Sequence, residues 1–366
     1  PGGEILYCLI RILSFFVLDR ETAYSLTVFT AWFVLLGSLY GVGRYCFGIA
    51  GGALAAFLLL LDPGSIALPG WAQAFSVGMW PMTLSAGLLV LTVTLFGVTL
   101  TQSAGRERML LLAALVMAVP LAHVMALLGL ILALPVMAGI GFLLAEDRSL
   151  WLRRAMRNGL FTFLGLGLAA WWLIPFFLSS EWTLPYGAPV ISPAMRAARI
   201  LDGTLFENTP PLFAYLGLLG TGWGIYSRKP VVTAFSLLYW AFLLLNLDTL
   251  YTWFFSPALS GLIMNVPLYR FGGYSKLLGY ILAGGLSQSL LAQAWPALER
   301  FFNRIYALDQ STTKNRPYAW IPGSLFAGLW VTLAVTLVFP LSRSLGTVYQ
   351  KQYALTERFP IATSAT

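Results

Sequence analysis

The sequence predicts an all-α, polytopic transmembrane helix bundle with about ten spans and further interfacial helices. Three observations carry that prediction. The first is composition: 58% of the 366 residues are apolar and only 10% are charged, with a mean hydropathy of +0.79. Soluble domains carry about 25% charged residues, and a chain this apolar cannot cover a water-facing surface. The second is a series of apolar runs of a length that crosses a bilayer as a helix, about 17 to 25 residues. The third is the way charges alternate between the loops that join those runs.

The runs fall at 24–43, 46–61, 77–100, 109–125, 127–145, 157–178, 210–227, 230–247, 272–294 and 320–341. Run 5–18 is too short to span and carries Arg11, so it is expected to lie in the interface or to join structure upstream. Span 24–43 ends at Arg44. Span 46–61 ends at the "DPG" of Asp62, and 77–100 returns to Arg106 and Arg108. The pair 109–125 and 127–145 turns at His123 and comes back to Arg148, Arg153, Arg154 and Arg157. Span 157–178 leads out, 210–227 returns to Arg228 and Lys229, and 230–247 leads out again. Span 272–294 returns to Arg300, Arg304, Lys314 and Arg316, and 320–341 leads out once more.

One set of loops therefore holds 13 cations and 5 acids, and the alternate set holds 8 cations and 9 acids. Basic loops stay in the cytoplasm. The basic loops are thus expected on the cytoplasmic side of the membrane and the other loops on the periplasmic or exterior side. The net charge of +8 is a topology signal and implies no nucleic-acid partner; the partners in contact with the spans are membrane lipids. The loops 62–81, 179–211 and 248–276 are long, rich in Pro, Gly, Trp and Tyr, and too apolar for disorder. Short helices and turns packed at headgroup level are expected there.

A transmembrane domain is expected over 1–341, followed by a tail, 342–366, of near-soluble character that would lead into an extracytoplasmic domain. The chain opens on "PGGEILYC" and closes on "FPIATSAT", and is read as an internal piece of a longer protein. Cys8 and Cys46 lie in apolar segments and form no metal or disulfide pattern. A single histidine excludes a multi-histidine metal site.

The stretch "NVPLYRFGGYSKLLGY" (265–280) places Arg270 and Lys276, with Tyr269 and Tyr274, at the mouth of span 272–294. Two cations on the face without excess positive charge suit an anionic headgroup such as a phosphate. Arginine offers a planar fork and lysine a mobile point charge. The alternative is that both side chains snorkel and anchor the helix end. His123, after Pro120, is a candidate for a phosphate or sugar-hydroxyl contact, or for proton transfer; a hydrogen-bonded helix-end histidine is the other reading. Glycosyl transfer needs a carboxylate to take the acceptor's proton. Where a divalent cation (Mg or Mn) takes part, oxygen ligands must also hold it. Asp62 and Glu4 are candidates, with a turn former and a helix N-terminal acid as their respective alternatives. No P-loop, nucleophile elbow or chain of intramembrane acids is present.

With "PGGE" (Pro1 to Glu4), "LAHVM" around His123, and "NVPLYRF" with Pro267, Arg270 and Phe271, the chain resembles bacterial 6-pyruvoyl-tetrahydropterin synthase-related membrane proteins. Their relatives are YfhO-like proteins and the GT-C glycosyltransferases. The match departs at Val124, where a proline would stand, and by one residue in the spacing of the last motif. The resemblance implies a GT-C-like helical membrane protein whose catalytic surface takes a polyprenyl-phosphate-linked sugar outside the membrane. The principal catalytic acid would then lie upstream of Pro1, so no catalytic residue is named here. A lipid-linked glycan transporter or flippase and a non-catalytic scaffold are the alternative functions.

Overall fold

The computed structural model describes residues 7–8, 10–12, 18–65, 68–75, 79–178, 191–206, 208–245, 247 and 270–309. Among the described residues the fold is helical, with no strand beyond an isolated bridge between Ile191 and Leu247. In order, the helices are α1 (Arg20–Phe47), α2 (Ile49–Leu60), α3 (Trp71–Phe75), α4 (Trp80–Thr101), α5 (Arg106–Ala122), α6 (Val124–Leu144), α7 (Arg148–Leu178), α8 (Pro193–Leu201), α9 (Pro211–Tyr226), α10 (Pro230–Leu244) and α11 (Phe271–Asp309). Each expected span from 24–43 to 272–294 meets one of these helices, and 320–341 lies outside the described residues. Five helices are long and apolar enough to cross a membrane: α1, α4, α6, α7 and α11. The chain is an integral membrane protein.

Hydrocarbon offers no hydrogen-bond partners, so a spanning backbone satisfies itself by forming helix. The same rule places the hydroxyls. Thr27, Ser38, Thr92 and Thr94 each donate to the carbonyl one turn back, at 2.7, 2.5, 2.7 and 2.7 Å. These residues can therefore sit inside apolar helices without an orphaned proton. Prolines open α8, α9 and α10, where a missing N–H costs nothing.

The chain divides into two units, Pro1–Ser289 and Leu290–Thr366. In the first, α4 is the central element, packed by α1, α5, α6 and α7. Val28 and Ala31 of α1 meet Trp80 of α4, and Leu127 of α6 meets Ala169 and Leu173 of α7. α7 turns Leu160, Phe163, Trp171, Ile174 and Leu178 outward, as a lipid-facing helix does. The α11 backbone approaches α9 and α2 closely: Gly279 faces Gly217, and Gly284 faces Gly51. In the second unit, the described residues 290–309 are helical.

The helix ends sort by charge. Tyr45 at the end of α1 accepts from Gln102 at 3.2 Å, beside the end of α4. Arg154 of α7 donates to the carbonyls of Leu100 and Thr101 at 3.1 and 2.8 Å, and Arg157 donates to Ala104 at 3.3 Å. The basic loops at 44, 106–108 and 148–157 thus meet at one end of the bundle. Guanidinium groups there complement the negative end of the α4 dipole.

Candidate functional site

The opposite end gathers the candidate residues, in two groups on different faces of α11. Arg270 immediately precedes α11, and Tyr274 lies one turn into it. Residues four apart share a helix face, at about 3.6 residues per turn. On that face Phe271 stacks on Phe242 at 5.6 Å, and Tyr274 lies 5.7 Å from the same ring. The buried Tyr274 hydroxyl lies beside Ser85 of α4, whose own proton goes to the Met82 carbonyl at 2.9 Å. The Arg270 guanidinium is within electrostatic range of both Tyr274 and His123.

His123 breaks α5 from α6. Its backbone is extended (φ −162°, ψ 125°), and its Nδ1 accepts from the Met125 amide at 3.3 Å. It therefore caps α6 with a side-chain acceptor, which is the helix-end role open from sequence. That bond uses Nδ1, so Nε2 is the nitrogen left to meet a ligand.

The second face carries Lys276 and Tyr280, again one turn apart. Lys276 is fully buried and forms an ion pair with Asp62, which is equally buried. Its ammonium also donates to the Pro69 carbonyl at 3.0 Å. Both carboxylate oxygens of Asp62 are used. Oδ1 accepts from the Gly64 amide at 3.0 Å and from Thr209 at 3.1 Å. Oδ2 accepts from Tyr280 at 2.8 Å and meets Lys276. Asn208 adds a bond to the Gly64 carbonyl at 3.3 Å.

Sequence reasoning grouped Arg270 and Lys276 on one anion. The structure separates them, because residues six apart project about 240° around a helix. Lys276 is not a rim cation: its charge is met by Asp62 and not held open at a membrane surface. Asp62 does form the expected "DPG" turn, through its bond to the Gly64 amide, and it is also the counter-ion. Tyr280 and Thr209 were not singled out from sequence. A buried lysine in an apolar run demands a counter-charge, which was the available signal. The choice among the nine acids of that face is a tertiary fact. Glu4 and Tyr269 lie outside the described residues, as does Pro267.

Among the described residues no three or more His, Cys, Asp or Glu side chains are grouped together, and the Asp62 carboxylate is paired with Lys276.

Beside this end lies α8, the short helix expected in the loop 179–211. Ser192 caps it by accepting from the Met195 amide at 3.2 Å. Arg196 turns inward and is pulled down to about 10 by burial, while Met195 and Leu201 stay exposed.

No protein-family model matches the chain, and no curated protein matches it. Among solved structures, the crystal structure of ArnT from Cupriavidus metallidurans in the apo state is similar over 92% of this chain, at 16% identity and a TM-score of 0.49. This chain spans 59% of that structure's length.

Proposed function

We propose that the chain is part of a membrane glycosyltransferase that takes a sugar from a polyprenyl-phosphate carrier at the extracytoplasmic face of a bacterial inner membrane. The observation that carries the reading is that Arg270 and Tyr274, at the head of α11, and His123, between α5 and α6, lie at the end of the bundle opposite the basic loops, with Arg270 in electrostatic range of both. In this reading the Arg270 fork binds the carrier phosphate, and it meets the charge that grows on the phosphate as the sugar leaves. His123 contacts a phosphate or sugar oxygen through Nε2. The surrounding apolar helices exclude water, which strengthens both contacts.

The test is Arg270→Ala and Arg270→Lys in the full-length protein, with sugar transfer from a radiolabelled polyprenyl-phosphate donor measured in isolated membranes. Loss of a preorganised donor to a developing oxyanion costs about a hundredfold or more. Arg270→Ala is expected to lose that much while remaining inserted at parental abundance, and Arg270→Lys to recover part of it. Unchanged transfer by Arg270→Ala removes the residue from the mechanism.

A further inference from the structure

The buried quartet around Asp62 sits outside the group that the proposed function uses, and its cost demands an explanation. Two full charges are held where lipid and protein exclude water. A buried ion pair is often no more stabilising than apolar side chains of the same volume. This one joins segments far apart in the chain. Asp62 ends the segment after α2, Pro69 lies in the turn before α3, Thr209 precedes α9, and Lys276 and Tyr280 belong to α11. Each carboxylate oxygen meets two donors, and the Pro69 carbonyl takes a second bond from the ammonium. The close glycine contacts of α11 with α2 and α9 set how near it lies to them, and directed bonds add what non-directional apolar contact does not supply. The bonds of Lys276 and Tyr280 fix both its axial position and its rotation.

What that fixation controls is the start of α11. Arg270 stands directly before the helix, and Phe271 and Tyr274 fill its first turns. The geometry points to the Asp62–Lys276 pair as the positioning device that sets the place of Arg270 at the head of α11. Asp62 and Lys276 are positioning residues: they act on an anionic substrate only through Arg270. This rests on the proposed role of Arg270, but the positioning itself can be read without any activity.

The experiment uses the full-length protein in native membranes, with Cys8 and Cys46 replaced by serine and cysteines placed at 123 and 270. A short bis-maleimide reports their proximity. In parallel, donor transfer is measured in the background that keeps His123 and Arg270. The variant is the charge-balanced double substitution Asp62→Asn with Lys276→Met, which leaves no uncompensated buried charge. The double variant is expected to accumulate, to lose about fivefold or more of the cross-link, and to lose about a hundredfold of transfer, the scale on which a small misplacement acts. An undiminished cross-link overturns the positioning role, whatever the transfer does. A diminished cross-link with unchanged transfer keeps the positioning role and removes Arg270 from the chemistry. Should the double variant fail to accumulate, Tyr280→Phe carries the same test, since it removes one directed bond and no charge. A partial loss of cross-link is then expected, and an unchanged one overturns the inference.

Discussion

Asp147 lies in water just before α7, where its Oδ1 accepts from the Leu150 amide at 3.0 Å and from the Ser149 hydroxyl at 2.8 Å. The amide bond above all, then the hydroxyl, holds its carboxyl below the usual carboxylate range. A depressed value in the folded state means that the carboxylate form stabilises the helix start. That contribution is complete above the unfolded value, about 3.9. It disappears as the pH falls through the lower folded value. Asp147→Ala is therefore expected to raise amide exchange over residues 149–152 at neutral pH. The difference from the parent should vanish once the pH lies below the folded value. A difference that persists in acid would mean that the cap acts through something other than its charge. Asp62 is the same residue type under the opposite constraint. With no water to share its charge, it needs a donor in every direction, and it has an amide, two hydroxyls and an ammonium.

At the scale of elements, helix contact here depends on missing side chains. Gly220 of α9 faces the α11 backbone so closely that an added Cβ would stand 2.6 Å from the Leu282 carbonyl carbon and 2.8 Å from its oxygen. Backbone cannot swing aside, so Gly220→Ala must push α9 from α11, at about 1–3 kcal/mol for overpacking of this kind. Gly222, two residues on, has nothing within 4 Å of the same built atom. Gly222→Ala is thus the matched control, expected to leave thermal stability in detergent unchanged while Gly220→Ala lowers it. Equal melting temperatures for the two would refute the close packing of α9 on α11. Such contacts were not legible in the sequence, because a glycine at a helix crossing and a glycine facing lipid read alike. What was legible was the location of each span, since 77–100 and 230–247 lie within a few residues of α4 and α10. Ends were misjudged where a helix continues beyond hydrocarbon. α7 begins at Arg148, nine residues before the apolar run at 157, and α11 runs on to Asp309, past the end expected at 294. Charged turns such as "RSLWLRR" still form helix at a water interface, and hydropathy alone does not register them.

For the whole molecule, the alternation of loop charge and the pairing of helix ends are independent observations that agree. The first comes from counting charges along the chain. The second comes from contacts between distant residues: Tyr45 with Gln102, Arg154 with Thr101 and Arg157 with Ala104 at one end, Asp62 with Thr209 and Lys276 at the other. A span missed or invented in the count would have put a basic loop among the second set. The consequence concerns direction across the bilayer, because basic loops are retained on the cytoplasmic side. Single cysteines at Ser103 and Ser149 are expected to resist an impermeant maleimide in intact cells and to react once the membrane is opened. Cysteines at Ser65 and Thr204 are expected to react from outside, provided the reagent reaches the loop between helices. Thr204 is the more informative of the two, because its hydroxyl lies next to Asp202, at 2.6 Å, on an exposed turn. Labelling of Thr204 and Ser149 from the same side would contradict the arrangement of ends. With it would fall the extracytoplasmic placement of Arg270, since Arg270 shares its end of the bundle with the Asp62 cluster that lies next to that turn in sequence.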